Sequence, residues 1–439
     1  MTKPIALEGA DHPGPAGPPG PLSRVARGPW AWLTVMVCLA WTVSSASAVL
    51  LPHPAGFRGD GSGLYPESRP PAEWGEKKNV KWRTRVGKGY SSPVFSDGCL
   101  YVTSDPPELA CLDSTTGAIR WRVSLQSADL PPDLQAKAKA IEKAPTSCGT
   151  AAPTPVADAS NVYALFGNGL VACFSHDGHR KWLHLLDPAK RNYGHSSSPL
   201  LVADRLLVNV RHLVALDPET GAVRWECPEA GEAYGTPVRM TLNDTPIVVT
   251  PLGVAVRARD GAVLAKEIAE ELGGDEYGIS PVASGDVVYL GDRNTSAVRL
   301  ELSGDRILTK KLWSAELSSA SYASPVVWSG LYFYAGKSAE YSVLDAATGA
   351  VLLERLLTLA PAGGEDKERE NANMYPSLSV ADGKLFISDD KGQTLVLEAT
   401  REFREVARNR LPEGSGATPT LSGSSMYIRA GEYLYCIQK

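Results

Sequence analysis

LDSTTGAIRW (residues 112–121) and LDPETGAVRW (residues 216–225) are nearly the same ten-residue phrase, written twice in one chain. Asp113 and Asp217 stand where a short carboxylate accepts the backbone amides of the turn it opens. Gly117 and Gly221 supply a positive φ that a side chain would penalise. Trp121 and Trp225 follow on a strand, each with a large flat surface to bury against its neighbour. A tight turn followed by a strand carrying one large ring reads as a fastener between repeated units.

Outward from the phrase, the chain aligns on Ser/Thr-Pro, or an equivalent proline, followed by an apolar strand. The eight anchors are Pro93, Pro155, Pro199, Pro237, Pro281, Pro325, Pro376 and Pro419, spaced by 62, 44, 38, 44, 44, 51 and 43 residues. A period near 40 to 50 with strand-like content is the signature of a β-propeller. The third unit, SSPLLVADRLLVNVRHLVALDPETGAVRW (197–225), holds four short strands and three tight connections. The last unit (417–439) holds three strands, and NVKWRTRV (79–86) ahead of the first anchor holds a spare one with Trp82. The expected fold is all-β: an eight-bladed propeller of four-stranded antiparallel blades. Its N-terminal strand completes the last blade and removes both open sheet edges.

Degenerate copies carry the same reading. Trp182 and Trp313 keep the tryptophan and alter the turn. LDAATGAVLLE (344–354) keeps the turn, with Asp345 and Gly349, and puts Leu353 in the ring's place. The fifth and seventh units are read as having neither feature, so their docking is expected to be weakest.

Length and composition agree: 439 residues exceed one ordinary core, and 41 Gly and 33 Pro imply many turns. A net charge of −5 without any Lys/Arg-rich run argues against a nucleic-acid partner. Arg24 and Arg27 precede the apolar run from Trp30 to Val43, and Ala46-Ser47-Ala48 fits a cleavage site, so the N-terminus reads as a secretory signal. The rival is an uncleaved anchor over residues 30–51, which implies membrane association. Either way the bulk of the chain is expected to be exported, periplasmic or in the cell envelope. GPAGPPGPL (14–22) is too short for a triple helix and reads as a disordered leader. The expected domains are residues 1–48 as signal or anchor with that leader, 49–80 as a strap, and 81–439 as the propeller. A monomer is expected.

Six cysteines follow the signal: Cys99, Cys111, Cys148, Cys173, Cys227 and Cys436. Cys111, Cys173 and Cys436 occupy a slot that holds Ala215, Ala255 or Val343 in other units, so it is a small buried apolar position. No C-x-x-C pair suggests zinc.

The repeats Asp113-x-x-Thr116-Gly117-x-x-x-Trp121, Asp217-x-x-Thr220-Gly221-x-x-x-Trp225 and Asp345-x-x-Thr348-Gly349 resemble the tryptophan-docking motif of pyrroloquinoline-quinone-type propellers. That superfamily includes quinoprotein alcohol dehydrogenases and the propeller lipoprotein of the outer-membrane barrel-assembly machinery. The resemblance runs from about Trp82 to the C-terminus. FRGDGSGLYPESRPPAEW (57–74) also resembles the strap ahead of exported quinoprotein-like propellers, and Arg58-Gly59-Asp60 within it reads as a turn rather than an adhesion signal. The quinone enzymes imply a calcium or lanthanide ion on Glu, Asn and Asp, and often an adjacent Cys-Cys disulfide. This chain has no Cys-Cys pair and no corresponding acidic triplet, so neither metal nor cofactor is expected, and pyrroloquinoline quinone with calcium belongs to the alternative reading. Of seven histidines, His176 and His179 bracket an Asp-Gly turn. No G-x-S-x-G, H-E-x-x-H or Walker pattern occurs, so no catalytic residue is assigned.

Two features point to a working surface, against the plain alternative that the rings plug the channel and the charges are solvated. A ring recurs just ahead of the anchors: Tyr90, His195, Tyr234, Tyr277, Tyr322 and Tyr375. These open the innermost strands and are expected to approach the central channel on one side. The connections between second and third strands bring Arg211, Arg293, Lys337 and Lys391 to that side. Aromatic walls with interspersed cations suit a protein or peptide partner, or a small anionic ligand. Two insertions, residues 127–147 with a helix expected over Pro132–Lys143, and residues 359–375, are expected to rim it. The predicted function is a non-catalytic exported scaffold; the alternative is a quinone-dependent dehydrogenase.

Overall fold

The structure, a computed structural model, describes residues 55–142, 148–190, 194–269, 278–358 and 372–439. Eight four-stranded antiparallel sheets follow one another around a central axis. Blade 1 begins with Val94–Ser96 and ends with the outer strand Ile119–Ser124. Blade 8 consists of Thr420–Ser422, Ser425–Ala430, Tyr433–Ile437 and, as its outermost strand, Val80–Arg85 from the other end of the propeller. That pairing runs antiparallel from Val80 opposite Ile437 to Arg85 opposite Tyr433. Ring closure is as the spare strand predicted.

Each blade alone exposes apolar surface on both faces, and the gaps between blades bury it. Eight hydrophobic clusters fill the eight gaps. Val156, Leu165 and Val171 of blade 2, for example, pack with Leu206, Val208 and Val214 of blade 3.

The fasteners sit across these gaps. The indole of Trp182 in blade 2 lies on Gly221 of blade 3 so closely that a Cβ there would fall 2.7 Å from the ring. Its Nε1 donates to the Pro218 carbonyl at 2.8 Å. The same geometry places Trp82 on Gly117, Trp121 on Gly178, Trp225 on Gly261 and Trp313 on Gly349. Their indole nitrogens donate to Ser114, His176, Ala258 and Ala346. Asp217 Oδ1 accepts from the amides of Glu219 and Thr220 at 3.0 and 2.9 Å, and Asp113 and Asp345 repeat the pattern. Arg224 and the turn hold the Asp217 carboxyl down to about 2. The small slot is real: Cys111, Cys173 and Ala215 face Trp121, Trp182 and Trp225 across the third and fourth strands, and all three are fully buried.

The reading of the fifth unit needs correction. Trp313 belongs to the fifth blade, which therefore docks normally. The positions opposite the small slot in blades 4, 6 and 7 are Ala265, Leu353 and Ala407. Substitutes fill those gaps. In the fourth, the long hairpin of blade 5 (Asn294–Ser303 and Arg306–Glu316) leans across, with Arg257 paired to Asp305 at 2.7 Å. In the sixth, Arg355 covers the Phe403 ring at 4.1 Å. In the seventh, strap residue Trp74 is buried against Phe386, and its backbone is clamped by Asn409.

The anchors also proved to be part of something larger. Ser92 N donates to Thr154 Oγ1, Thr154 N to Ser198 Oγ, Ser198 N to Thr236 Oγ1, and Thr236 N to Ser280 Oγ. Ser280 continues to Ser324, Ser324 to Ser377, Ser377 to Thr418, and Thr418 returns to Ser92. This is a closed belt of eight hydrogen bonds, 2.8 to 3.0 Å long, around the channel. In blade 7 its member is Ser377, which follows Pro376. That proline is therefore displaced by one residue from the other anchors, and Leu378 takes the proline's place.

The strap fills the channel from the opposite side. Ala55 pairs antiparallel with Ala157 of blade 2, and Leu64 pairs parallel with Val380 of blade 7. Between them Arg58 is 1% exposed and donates to the carbonyls of Pro325 and Leu378. Burial lowers its pKa to about 10. Arg58-Gly59-Asp60 is thus a turn with its arginine inside the protein, unavailable to an adhesion receptor.

Candidate functional site

The belt marks the side on which the innermost strands begin, and the predicted rings lie there. Tyr375 and Tyr90 are 43% and 48% exposed, unusual for residues of this type beside a packed core. Tyr322 stacks on Tyr375 with ring centroids 4.8 Å apart. Gly416 sits between Tyr375 and Tyr90, and a Cβ on it would meet both rings. Tyr322, Tyr375 and Tyr90 therefore form one aromatic shelf along blades 6, 7 and 1. Tyr234 is half-buried at the start of blade 4. His195 does not join the surface: it is 2% exposed, and burial depresses its imidazole to about 4, so it is neutral at pH 7. Tyr277 lies outside the described residues.

The four cations sit at the connections where they were placed, and three are paired at home. Arg211 donates to the Pro188 carbonyl at 3.0 Å and lies 3.4 Å from Asp187. Arg293 donates to the Leu317 carbonyl and pairs with Glu316 at 2.8 Å. Lys391 lies 3.8 Å from Asp390. Lys337 is exposed and makes no ion pair among the described residues. The helix of the first insertion, Pro132–Glu142, packs Leu134, Ala138 and Ile141 onto the gap between blades 1 and 2, and Lys137 reaches Asp187 at 2.6 Å. Most of the second insertion, residues 359–371, lies outside the described residues.

Sequence reasoning missed two things on this side. One is a cleft of about 760 Å³ at the seam where blade 8 meets blade 1, lined by Lys88, Tyr90, Asp105, Cys148, Glu413, Glu432 and Tyr433 among others. No single unit contains it; its walls come from both ends of the propeller. The other is a pair of carboxyls beside the shelf, Asp292 half-buried and Asp389 buried. Burial raises Asp292 despite the Ser321 amide and Tyr334 hydroxyl that it accepts from. Burial likewise raises Asp389 to about 6.

Asp389 makes a pH prediction. Its unfolded value is about 3.9, so between about pH 4 and 6 the folded chain holds a proton that the unfolded chain has lost. Stability from this group is present below that window and falls as pH rises through it. The Asp389 Oδ1 accepts from the amides of Lys391 and Gln393, a role that an amide oxygen keeps. Asp389→Asn should therefore gain about 1–2 kcal/mol at pH 7.5 and nothing at pH 4, read from urea unfolding at both pH values. A loss at pH 7.5 would contradict the assignment.

With the geometry in place, the comparisons decide the family. The model of the outer membrane protein assembly factor BamB family matches residues 72–273 and 252–439. The chain belongs to that family. No curated protein sequence matches it. Among solved structures, BamB from Moraxella catarrhalis superposes with a TM-score of 0.54 at 12% identity, covering 82% of this chain and 97% of that one. The quinohemoprotein alcohol dehydrogenase from Comamonas testosteroni gives 0.55 at 11% identity, covering 81% and 76%. A computationally designed protein, Ika8, gives 0.53 at 11%, covering 86% and 100%. At such identities these likenesses establish the propeller fold that the family member shares with an enzyme and with a designed protein. They do not carry a ligand from one to another.

Proposed function

We propose that this family member is an exported, non-catalytic scaffold that docks a protein partner on its belt side. The observation that supports it is the aromatic shelf of Tyr322, Tyr375 and Tyr90, flanked by cations already neutralised by their own neighbours. Exposed tyrosines with little free charge are the composition of a protein-binding core. A small anionic ligand would call for unpaired cations, and among the described residues Lys337 is the one of the four without an ion pair. The family's description as an assembly factor agrees with partner binding. Export, and membrane association through residues 30–51, belong to the same reading; no helix among the described residues is long and apolar enough to cross a membrane.

The dehydrogenase alternative asks for a calcium-held quinone. Among the described residues no three His, Cys, Asp or Glu side chains converge to hold a metal ion.

The test is a photo-cross-linking amino acid placed at Tyr375 and, as a control, at Ile119 on an outer strand, in the intact chain in its host. One discrete adduct at Tyr375, absent at Ile119, is expected. Identical patterns, or saturable calcium-dependent calorimetric binding of pyrroloquinoline quinone, would overturn the scaffold reading.

A further inference from the structure

We infer that the seam cleft binds an extended polypeptide segment that presents a basic and an acidic side chain on one face. This rests on the scaffold reading and names the chemistry of what is docked.

The cleft is lined by Lys88, Gly89 and Tyr90 from the blade 8 to blade 1 crossing, by Glu413, Gly414 and Ser415 ahead of blade 8, and by Gly431 to Tyr433, whose Glu432 carbonyl accepts from the Val86 and Gly87 amides; Asp105, Cys148 and Gly149 also line it. Its volume suits a bound ligand of several residues. The polar groups divide into two kinds. Asp105 is consumed by the fold: it accepts from the Thr150 amide at 2.8 Å, the Thr150 hydroxyl and the Ala151 amide. Glu432 is consumed by Arg85 at 2.7 Å, and Arg83 lies 3.5 Å over the Tyr433 ring. Lys88 and Glu413 are different. Both are exposed, and among the described residues neither side chain makes a hydrogen bond or an ion pair. The Glu413 carboxylate lies against the backbone of Gly431, where a Cβ would come within 1.6 Å of Oε2; only glycine lets the carboxylate occupy that place.

Among the described residues, one unpaired ammonium and one unpaired carboxylate therefore line a cleft that the exposed Tyr90 also lines. A ligand of one charge sign satisfies one of the two groups and opposes the other. A ligand with both signs satisfies both. In an extended chain residues i and i+2 point the same way, about 7 Å apart, so a Lys-x-Glu pattern presents both signs on one face, and its aliphatic stems can lie on the tyrosine ring. The shelf from Tyr90 to Tyr375 and Tyr322 continues outward from the cleft, giving a longer chain a track beyond it.

The probe is a fluorescein-labelled heptapeptide, Thr-Lys-Thr-Glu-Thr-Lys-Thr, titrated into the full chain by fluorescence anisotropy, beside versions with only Lys or only Glu at the charged places. The mixed peptide should bind at least tenfold tighter than either single-sign peptide. Lys88→Glu and Glu413→Lys should each weaken it tenfold or more, and the double swap should restore most of the loss, with melting temperatures unchanged. Three results would each overturn the inference: equal binding of the three peptides, charge swaps without effect, or binding of chitotetraose that Tyr90→Ala abolishes while the peptides do not bind. A discrete partner adduct at Tyr375 together with ineffective swaps removes this inference alone. Effective swaps without any adduct remove the mouth as the docking site and leave the cleft.

Discussion

Deleting residues 80–86 abolishes cooperative unfolding. The strand Val80–Arg85 is the only covalent link between the strap and blade 1, and also the outer strand of blade 8. Without it the ladder from Ile437 to Tyr433 loses its partner and leaves an open edge. Trp82 no longer covers Gly117, and Thr84 no longer donates to the Gly117 carbonyl at 2.7 Å. Val86, fully buried with Leu100, Val102 and Leu434 in the cluster between blades 8 and 1, is also removed. Scanning calorimetry of the deleted chain should show a broad transition or none. Because deletion also shortens the path to the strap, Trp82→Ala is the companion at full length, expected to cost about 3–5 kcal/mol. An unchanged melting curve in both variants would mean that the ring does not need this closure.

Gly221→Val should cost about 3–5 kcal/mol, well beyond Gly330→Val, although the two glycines have nearly the same backbone. Their φ angles are +73° and +76°, so the strain of a β-branched residue at positive φ is common to both, about 1–2 kcal/mol. What differs is the surroundings. A Cβ on Gly330 meets nothing within 4 Å, whereas one on Gly221 strikes the Trp182 indole. Trp182 is hydrogen-bonded to the Pro218 carbonyl and tilted against Tyr163, so it has nowhere to retreat. Urea unfolding of the two variants isolates the docking contact as the difference between them. Equal losses would mean that the tryptophan gives way and that the fastener is looser than its geometry.

How far the molecule was legible can be judged residue by residue. Asp217, Gly221 and Trp225 were readable because a turn and the strand after it are local: the backbone partners of Asp217 in its turn lie two to five residues on, and the periodicity survives in the text of the chain. The eight-fold count and the spare strand with Trp82 followed from repetition. The reading of the fifth unit as lacking a docking tryptophan failed where the blade's hairpin is longer than its siblings, which sets Trp313 far along the chain from the unit's anchor. Pro376 misled for a similar reason, since the belt uses the hydroxyl of Ser377 and the proline beside it is incidental. On the belt side, Tyr90, Tyr322 and Tyr375 come together as one shelf, but the exposure of Tyr375 and the burial of His195 were not readable in the sequence. Both depend on neighbouring blades. Nor could the sequence show that Arg211, Arg293 and Lys391 are answered by Asp187, Glu316 and Asp390; a charge in a loop looks free until its neighbours are known.

By itself, then, the sequence determined the blade: four strands, a turn, a ring and their number, all consequences of short-range pattern repeated along the chain. The tertiary structure alone decided what happens between blades. The belt joins Thr418 to Ser92 across 326 residues, Trp74 of the strap fills the place that Ala407 leaves open, and the seam cleft gathers Lys88 and Glu413, far apart in sequence, into one lining. Local chemistry sets the unit because its energy is spent within a few residues. The working surface emerges only when closure of the ring brings distant side chains together and settles which of them remain unpaired.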